Sequence, residues 1–262
     1  MNSANPTMDS IQKIFQIIEN QPDILQKQKD QESQIKALND RICSLELKIG
    51  KTDEEKCPKC ETLESALKEN HLACYKWHFN KLENPDIRKL CIDASKKGFL
   101  DIVKFLVEFS KGIHNYDDSL KWAAERGHLE VLKFLVSSGA NIHARDDLAI
   151  AVASQMGHME VVKFLVESGA DIHADVNCAV RWASQFGQLE VVKFLVSSGA
   201  NIRADDDFAV QRASQNGHLE VVKFLVSSGA NIHADNNFAL REALRKNNME
   251  MVNYLVSVWT NN

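Results

Sequence analysis

Cysteine and histidine residues between positions 57 and 78 have the types and spacing of metal ligands. Cys57 and Cys60 form a C-x2-C pair, a spacing that structural zinc sites use. A second pair could be Cys74 with His78, or His71 with Cys74, and two chains could instead share a four-cysteine site. One C-x2-C pair is a weak signal, so we expect no bound metal and no cofactor. Cys57 and Cys60 are the candidate ligands if the chain does bind a metal.

Histidines also recur at two fixed positions further along the chain. Gln188 and Arg203 each replace one of them, which a set of metal ligands would not tolerate, so we expect hydrogen bonds within each repeat. The chain has no glycine-rich phosphate loop, no G-x-S-x-G and no H-E-x-x-H motif. We therefore predict that it is not an enzyme and has no catalytic residues. The two histidine sets are His128, His158 and His218, and His143, His173 and His233.

The histidines belong to tandem copies of one sequence. Residues 127–143, 157–173, 187–203 and 217–233 are nearly identical and are spaced 30 residues apart. Weaker copies occupy 98–107 and 247–256, and a degenerate copy over 66–77 puts Cys74 and His71 at repeat positions.

Each copy is predicted to form two short helices. Asp147, Asn177, Asp207 and Asn237 are placed to cap the first helix, and glycines such as Gly157 end it. The acidic turns around these caps are expected to be solvated. The second helix carries an apolar stripe that one unit cannot bury, and an exposed Phe, Leu or Val forfeits roughly 1.5–3 kcal/mol. Copies must therefore stack side by side, which predicts an all-α solenoid. The acidic residues are Asp146, Asp147, Asp175, Asp205, Asp206 and Asp207.

The motif GHLEVVKFLVSSGANIHA resembles the second half of the ankyrin repeat. The resemblance covers residues 86–262, about six repeats, with a degenerate first repeat and linker over 57–85. Such similar tandem copies also resemble the ankyrin arrays of giant DNA viruses. The family's Thr-Pro-Leu-His is missing, and the copies are about three residues shorter than its usual 33. The loss falls around Ala174–Asp175, so we expect blunted hairpins between the repeats.

The resemblance implies that partners bind the concave face, which is lined by the first helices. Positions in these helices vary between copies, whereas the second helices barely change. We take the varied side chains as the candidate binding residues, although some, Trp182 among them, could instead pack in the core. The candidates are Lys121, Trp122, Arg126, Met156, Arg181, Trp182, Phe186, Gln211, Arg212, Asn216 and Arg241.

Residues 1–56 follow a different pattern and are predicted to form a separate helical segment. Apolar residues over about 32–50 occupy the a and d positions of a heptad, which favours a parallel two-stranded coiled coil and a homodimer. The alternative is an amphipathic helix that folds back on the solenoid. The self-association candidates are Ile35, Leu38, Ile42, Leu45 and Ile49.

The composition of the chain argues against some classes of function. The net charge of −5 argues against a dedicated nucleic-acid binder. No apolar run reaches the ~20 residues of a membrane-spanning helix, so a cytoplasmic protein without membrane contact is expected. The sequence predicts a non-enzymatic scaffold that binds another protein. The alternatives are an adaptor that recruits substrates to a ubiquitin ligase or other host machinery, and a zinc-dependent nucleic-acid binder built on 57–78.

Overall fold

The structure, a computed structural model, describes residues 60–110 and 115–260. Contacts divide the chain into two units, residues 1–83 and 84–262. The described residues contain helices and no strand, which confirms the all-α prediction. The predicted coiled coil over 32–50 and Cys57 lie outside the described residues.

The described part of the first unit is a pair of short helices, α1 (Leu63–Lys68) and α2 (Leu72–Phe79). Thr62 and Ser65 form a capping box at the start of α1: the hydroxyl of Thr62 accepts from Ser65 N, and that of Ser65 accepts from Thr62 N. Asn70 joins the two helices with a φ of 52°, the conformation that glycine adopts in later copies. The degenerate copy therefore keeps the local geometry of a repeat.

The described residues of the second unit contain six pairs of helices. The second helices of these pairs bury a constant apolar stripe: in one of them Val161, Val162 and Leu165 are at most 2% exposed. The first helices are α3 (Ile87–Lys97), α5 (Asp117–Arg126), α7 (Ala144–Met156), α9 (Ala174–Gln185), α11 (Ala204–Gln215) and α13 (Ala234–Arg245). The second helices are α4 (Leu100–Ser110), α6 (Leu129–Ser137), α8 (Met159–Glu167), α10 (Leu189–Ser197), α12 (Leu219–Ser227) and α14 (Met249–Thr260).

Small residues let neighbouring first helices approach closely. Ala153, Ala183 and Ala213 are fully buried, and first helices pack against one another more extensively than second helices do. Gly187 lies between the two helices of its pair and has a φ of 75°. A Cβ atom added there would lie 2.5 Å from Nδ1 of His218 in the next repeat. Glycine is thus required both by the backbone and by the neighbour.

The turns between copies differ from the prediction. In each of α7, α9, α11 and α13, the three residues after the first one have positive φ, for example Asp205, Asp206 and Asp207 at 54–58°. These left-handed turns replace the expected hairpins, and the described residues contain no hairpin. Asp and Asn tolerate this conformation better than most residues, which explains the acidic composition.

The prediction that all the acidic turn residues are solvated was wrong for two of them. Asp147 and Asp207 are 5% and 3% exposed, whereas their neighbours in the turns are exposed. Oδ1 of Asp147 accepts from the backbone N–H of Asp171 at 2.9 Å, and Oδ1 of Asp207 from that of Asn231 at 2.7 Å. These side chains therefore connect each repeat to the turn of the next one instead of capping their own helix.

Within the described residues no helix is long and apolar enough to cross a membrane.

Candidate functional site

The first set of recurring histidines connects neighbouring repeats. Nε2 of His158 hydrogen-bonds to the main-chain oxygen of Glu125 at 3.0 Å, and that of His128 to Lys96 at 3.1 Å. Gln188 makes the equivalent bond to Gln155 O at 3.2 Å. A glutamine can replace histidine here because its side-chain amide donates to the equivalent main-chain carbonyl of the preceding repeat. The bonds span two repeats, so the expectation that they lie within a repeat was wrong.

The second set of histidines does bond within its own repeat. Nδ1 of His173 lies 3.0 Å from Oδ1 of Asn177, and Nδ1 of His143 lies 3.0 Å from Oδ1 of Asp147. Arg203 replaces histidine, and its Nε lies 3.5 Å from the carboxylate of Asp207. The structural interpretation of these residues is therefore confirmed.

Four of the predicted binding residues lie at the C-terminal ends of first helices, as the last helical residue or the one after it, and are exposed. Met156 and Phe186 occupy this position in adjacent repeats, and each is 46% exposed. Arg126 precedes them and Asn216 follows them at the same position, both exposed. Nδ2 of Asn216 donates to Gln185 O at 2.9 Å, which holds that side chain against the preceding repeat. We call Arg126, Met156, Phe186 and Asn216 the helix-end row.

The other predicted residues are less accessible. Lys121, Trp122 and Trp182 are half-buried. Gln211 is only 7% exposed, and its Nε2 donates to Asp206 O at 2.6 Å, so it is not part of an accessible surface. Nζ of Lys121 lies 3.7 Å from the centre of the Trp122 ring, and Trp122 also lines a groove formed by residues of α3 and α5.

The remaining predicted residues are arginines that alternate with phenylalanines across three repeats. The guanidinium carbons of Arg181 and Arg212 both lie 4.6 Å from the Phe208 ring centre. Those of Arg212 and Arg241 lie 5.6 Å and 5.9 Å from that of Phe238. We call these five residues the arginine ladder. Sequence reasoning missed the two phenylalanines, although an aromatic residue at one position in adjacent copies was a visible signal.

The arginines of the ladder differ in whether a carboxylate pairs with them. Nη2 of Arg181 lies 2.8 Å from Oδ2 of Asp205, and Arg241 is 4.0 Å from Asp235. Arg212 donates instead to the amide oxygen of Gln215 at 2.6 Å, and no carboxylate of the described residues forms an ion pair with it. A stacked guanidinium without a carboxylate partner is suited to binding an acidic group from another molecule.

The cysteines of the described residues fall into two groups. Cys60 and Cys74 lie near His71 in the first unit: Nδ1 of His71 is 3.5 Å from Sγ of Cys60 and 3.2 Å from Sγ of Cys74. Of the two pairings left open by the sequence, the structure therefore brings His71 and Cys74 to Cys60. His78 instead places Nε2 2.8 Å from the carbonyl oxygen of Cys60.

Cys91 and Cys178 lie apart, in buried positions of the second unit. Burial raises the pKa of the Cys91 thiol, while hydrogen bonds with Ser119 and Ser95 partly oppose the rise. Burial, reinforced by the negative charge of Asp175, raises the pKa of Cys178 to about 12. Both thiols are therefore protonated at neutral pH and poorly nucleophilic.

Stacked helix pairs, with first helices in one layer and second helices in another, define a helical-repeat solenoid. A family model described as ankyrin repeats (3 copies) matches residues 63–146, 90–176, 120–206 and 180–261. The chain belongs to the ankyrin-repeat family, as its resemblance implied. No curated protein matches the chain. Ankyrin repeats are generally protein–protein interaction modules.

Proposed function

We propose that this protein is a non-enzymatic scaffold that binds a partner protein on the face formed by its first helices. The proposal is carried by Met156 and Phe186, two large apolar side chains that are each 46% exposed at the same position of adjacent repeats. Exposed apolar side chains that lie together mark interaction surfaces more often than single ones do.

The surroundings of this apolar pair suit an interface. Arg126 and Asn216 flank it within the helix-end row, and an interface typically has an apolar centre with a polar rim. Packed helices hold the row in place before binding, so a partner orders few side chains and loses little conformational entropy. The second helices stay nearly constant between copies, whereas selected positions of the first helices vary, as the residues of a binding surface can.

The arginine ladder indicates the chemistry of the partner. Arg181, Arg212 and Arg241 lie on successive first helices, and Arg212 has no carboxylate partner among the described residues. We infer that the partner presents an apolar side chain to Met156 and Phe186, and carboxylates to the arginines.

The proposal is tested by affinity purification of the full chain with quantitative mass spectrometry. Met156→Ser combined with Phe186→Ser should selectively reduce the recovery of a partner. The matched control is Lys163→Ser combined with Lys193→Ser, which alters the second helices of the same two repeats. Circular dichroism should show equal helix content in all three proteins. Unchanged partner recovery with the Met156/Phe186 variant, or equal loss with both variants, would place the binding surface elsewhere.

Self-association through the N-terminal segment stays a prediction. A dimer through Ile35, Leu38, Ile42, Leu45 and Ile49 would present two first-helix faces and raise the avidity for a repetitive partner. Sedimentation velocity of the full chain beside an Ile42→Asp variant checks it: the wild type should sediment as a dimer and the variant as a monomer. A cytoplasmic location likewise stays a prediction.

A further inference from the structure

Three metal-ligating side chains of the first unit converge on one point. Cys60 lies just before α1, His71 immediately precedes α2, and Cys74 lies in the first turn of α2. Their ligand atoms, two Sγ and one Nδ1, all lie within 4.8 Å of one another. His71 and Cys74 are three residues apart across a helix start, so they lie on the same side.

The distances match the edges of a tetrahedral zinc site. With Zn–S near 2.3 Å and Zn–N near 2.05 Å, ligand atoms are separated by about 3.6 Å for S···N and about 3.8 Å for S···S. Nδ1 of His71 lies 3.5 Å from Sγ of Cys60 and 3.2 Å from Sγ of Cys74. A metal ion bound by all three atoms would account for both short S···N distances at one imidazole nitrogen.

The three side chains are of the types that zinc sites use. We propose that Cys60, His71 and Cys74 bind one Zn²⁺ ion. Thiolates with one imidazole suit zinc better than magnesium or calcium, which prefer oxygen ligands.

The ion would add a cross-link to a pair of short helices. Helices α1 and α2 are 6 and 8 residues long, below the length at which isolated helices are stable. The metal ties the segment before α1 to the start of α2. Nε2–H of His78 donates to the carbonyl of Cys60 at 2.8 Å and positions the backbone of that ligand. Structural zinc sites stabilise small folds in this way.

The test is the metal content of the full chain. Purified protein is incubated with excess ZnSO4, dialysed against metal-free buffer and analysed by inductively coupled plasma mass spectrometry. The wild type should retain one zinc per chain. Cys60→Ser and Cys74→Ser should each lower zinc retention at least about tenfold, because each removes a ligand. The matched control, Cys91→Ser, changes a buried thiol outside the site and should retain the metal.

Two further measurements separate ligation from misfolding. His71→Cys keeps a ligand at that position and should retain zinc, whereas His71→Ala should lose it. Co²⁺ in place of zinc should give the intense visible bands of a tetrahedral, sulfur-rich site in the wild type. Wild-type protein without zinc, or full retention in Cys60→Ser or Cys74→Ser, would overturn the proposal.

Discussion

Buried serines occupy one position of four first helices. Ser95, Ser154, Ser184 and Ser214 are at most 1% exposed. The hydroxyl of Ser214 donates to Ala239 O at 2.9 Å, whereas those of Ser154 and Ser184 have no hydrogen-bond partner. A buried hydroxyl without a partner costs about 1–3 kcal/mol relative to a satisfied one. Ala124 holds the same position in another repeat, so the fold accepts alanine there.

We therefore expect opposite effects of one substitution in two repeats. Ser154→Ala should raise the free energy of unfolding by about 1 kcal/mol, because it removes an unsatisfied hydroxyl. Ser214→Ala should lower it by a similar amount, because the carbonyl of Ala239 loses its donor. Urea unfolding followed by circular dichroism measures both. Equal shifts in the two variants would contradict the explanation.

At the scale of the elements, a single side-chain hydrogen bond links the start of a second helix to the preceding repeat. Nε2 of His158 serves the carbonyl of Glu125, and Gln188 makes the equivalent bond in the next repeat. His158→Gln should therefore leave the unfolding free energy nearly unchanged. His158→Ala should lower it by about 1 kcal/mol or more, since a hydrogen bond is lost and a space is left beside Gly127. Equal losses in both variants would show that the ring, not the donor, matters.

The left-handed turns include one residue that is poorly suited to them. Val176 has a φ of 56° and is 55% exposed, whereas Asp146, Asp206 and Asn236 occupy the same position in other repeats. A β-branched side chain is strained in this conformation. Val176→Asn should raise the midpoint of thermal unfolding, with a gain of about 1 kcal/mol. Val176→Thr keeps the branch and is the control; an equal gain there would point to lost apolar exposure instead.

At the scale of the whole molecule, stability is a sum over neighbouring repeats. The α13/α14 pair exposes Leu244, Met249, Val256 and Trp259 by 43–54% each, whereas Val191, Val192 and Leu195 of α10 are at most 2% exposed. We expect the amides of α13 and α14 to exchange hydrogen faster than those of α9 and α10. Hydrogen-exchange mass spectrometry of the full chain measures this. Uniform exchange along the second unit would mean that it unfolds as a single cooperative unit.

The amino-acid sequence was sufficient to predict the repeat, the two helices of each copy and their stacking. A 30-residue period with a constant apolar stripe on the second helix leaves no other way to bury Val161, Val162 and Leu165. The glycines and Asn70 at the helix junctions were equally readable, because few residues adopt positive φ at low cost.

Only the tertiary structure decided what the polar side chains contact. Asp207 binds a backbone amide 24 residues further along the chain, and His158 binds a carbonyl 33 residues earlier. Arg212 lies between aromatic rings of two repeats, and His71, not His78, lies between Cys60 and Cys74. Periodicity identifies which face of a helix is buried. These contacts depend on the offset and rotation of one helix pair against the next, which arise when the whole stack packs.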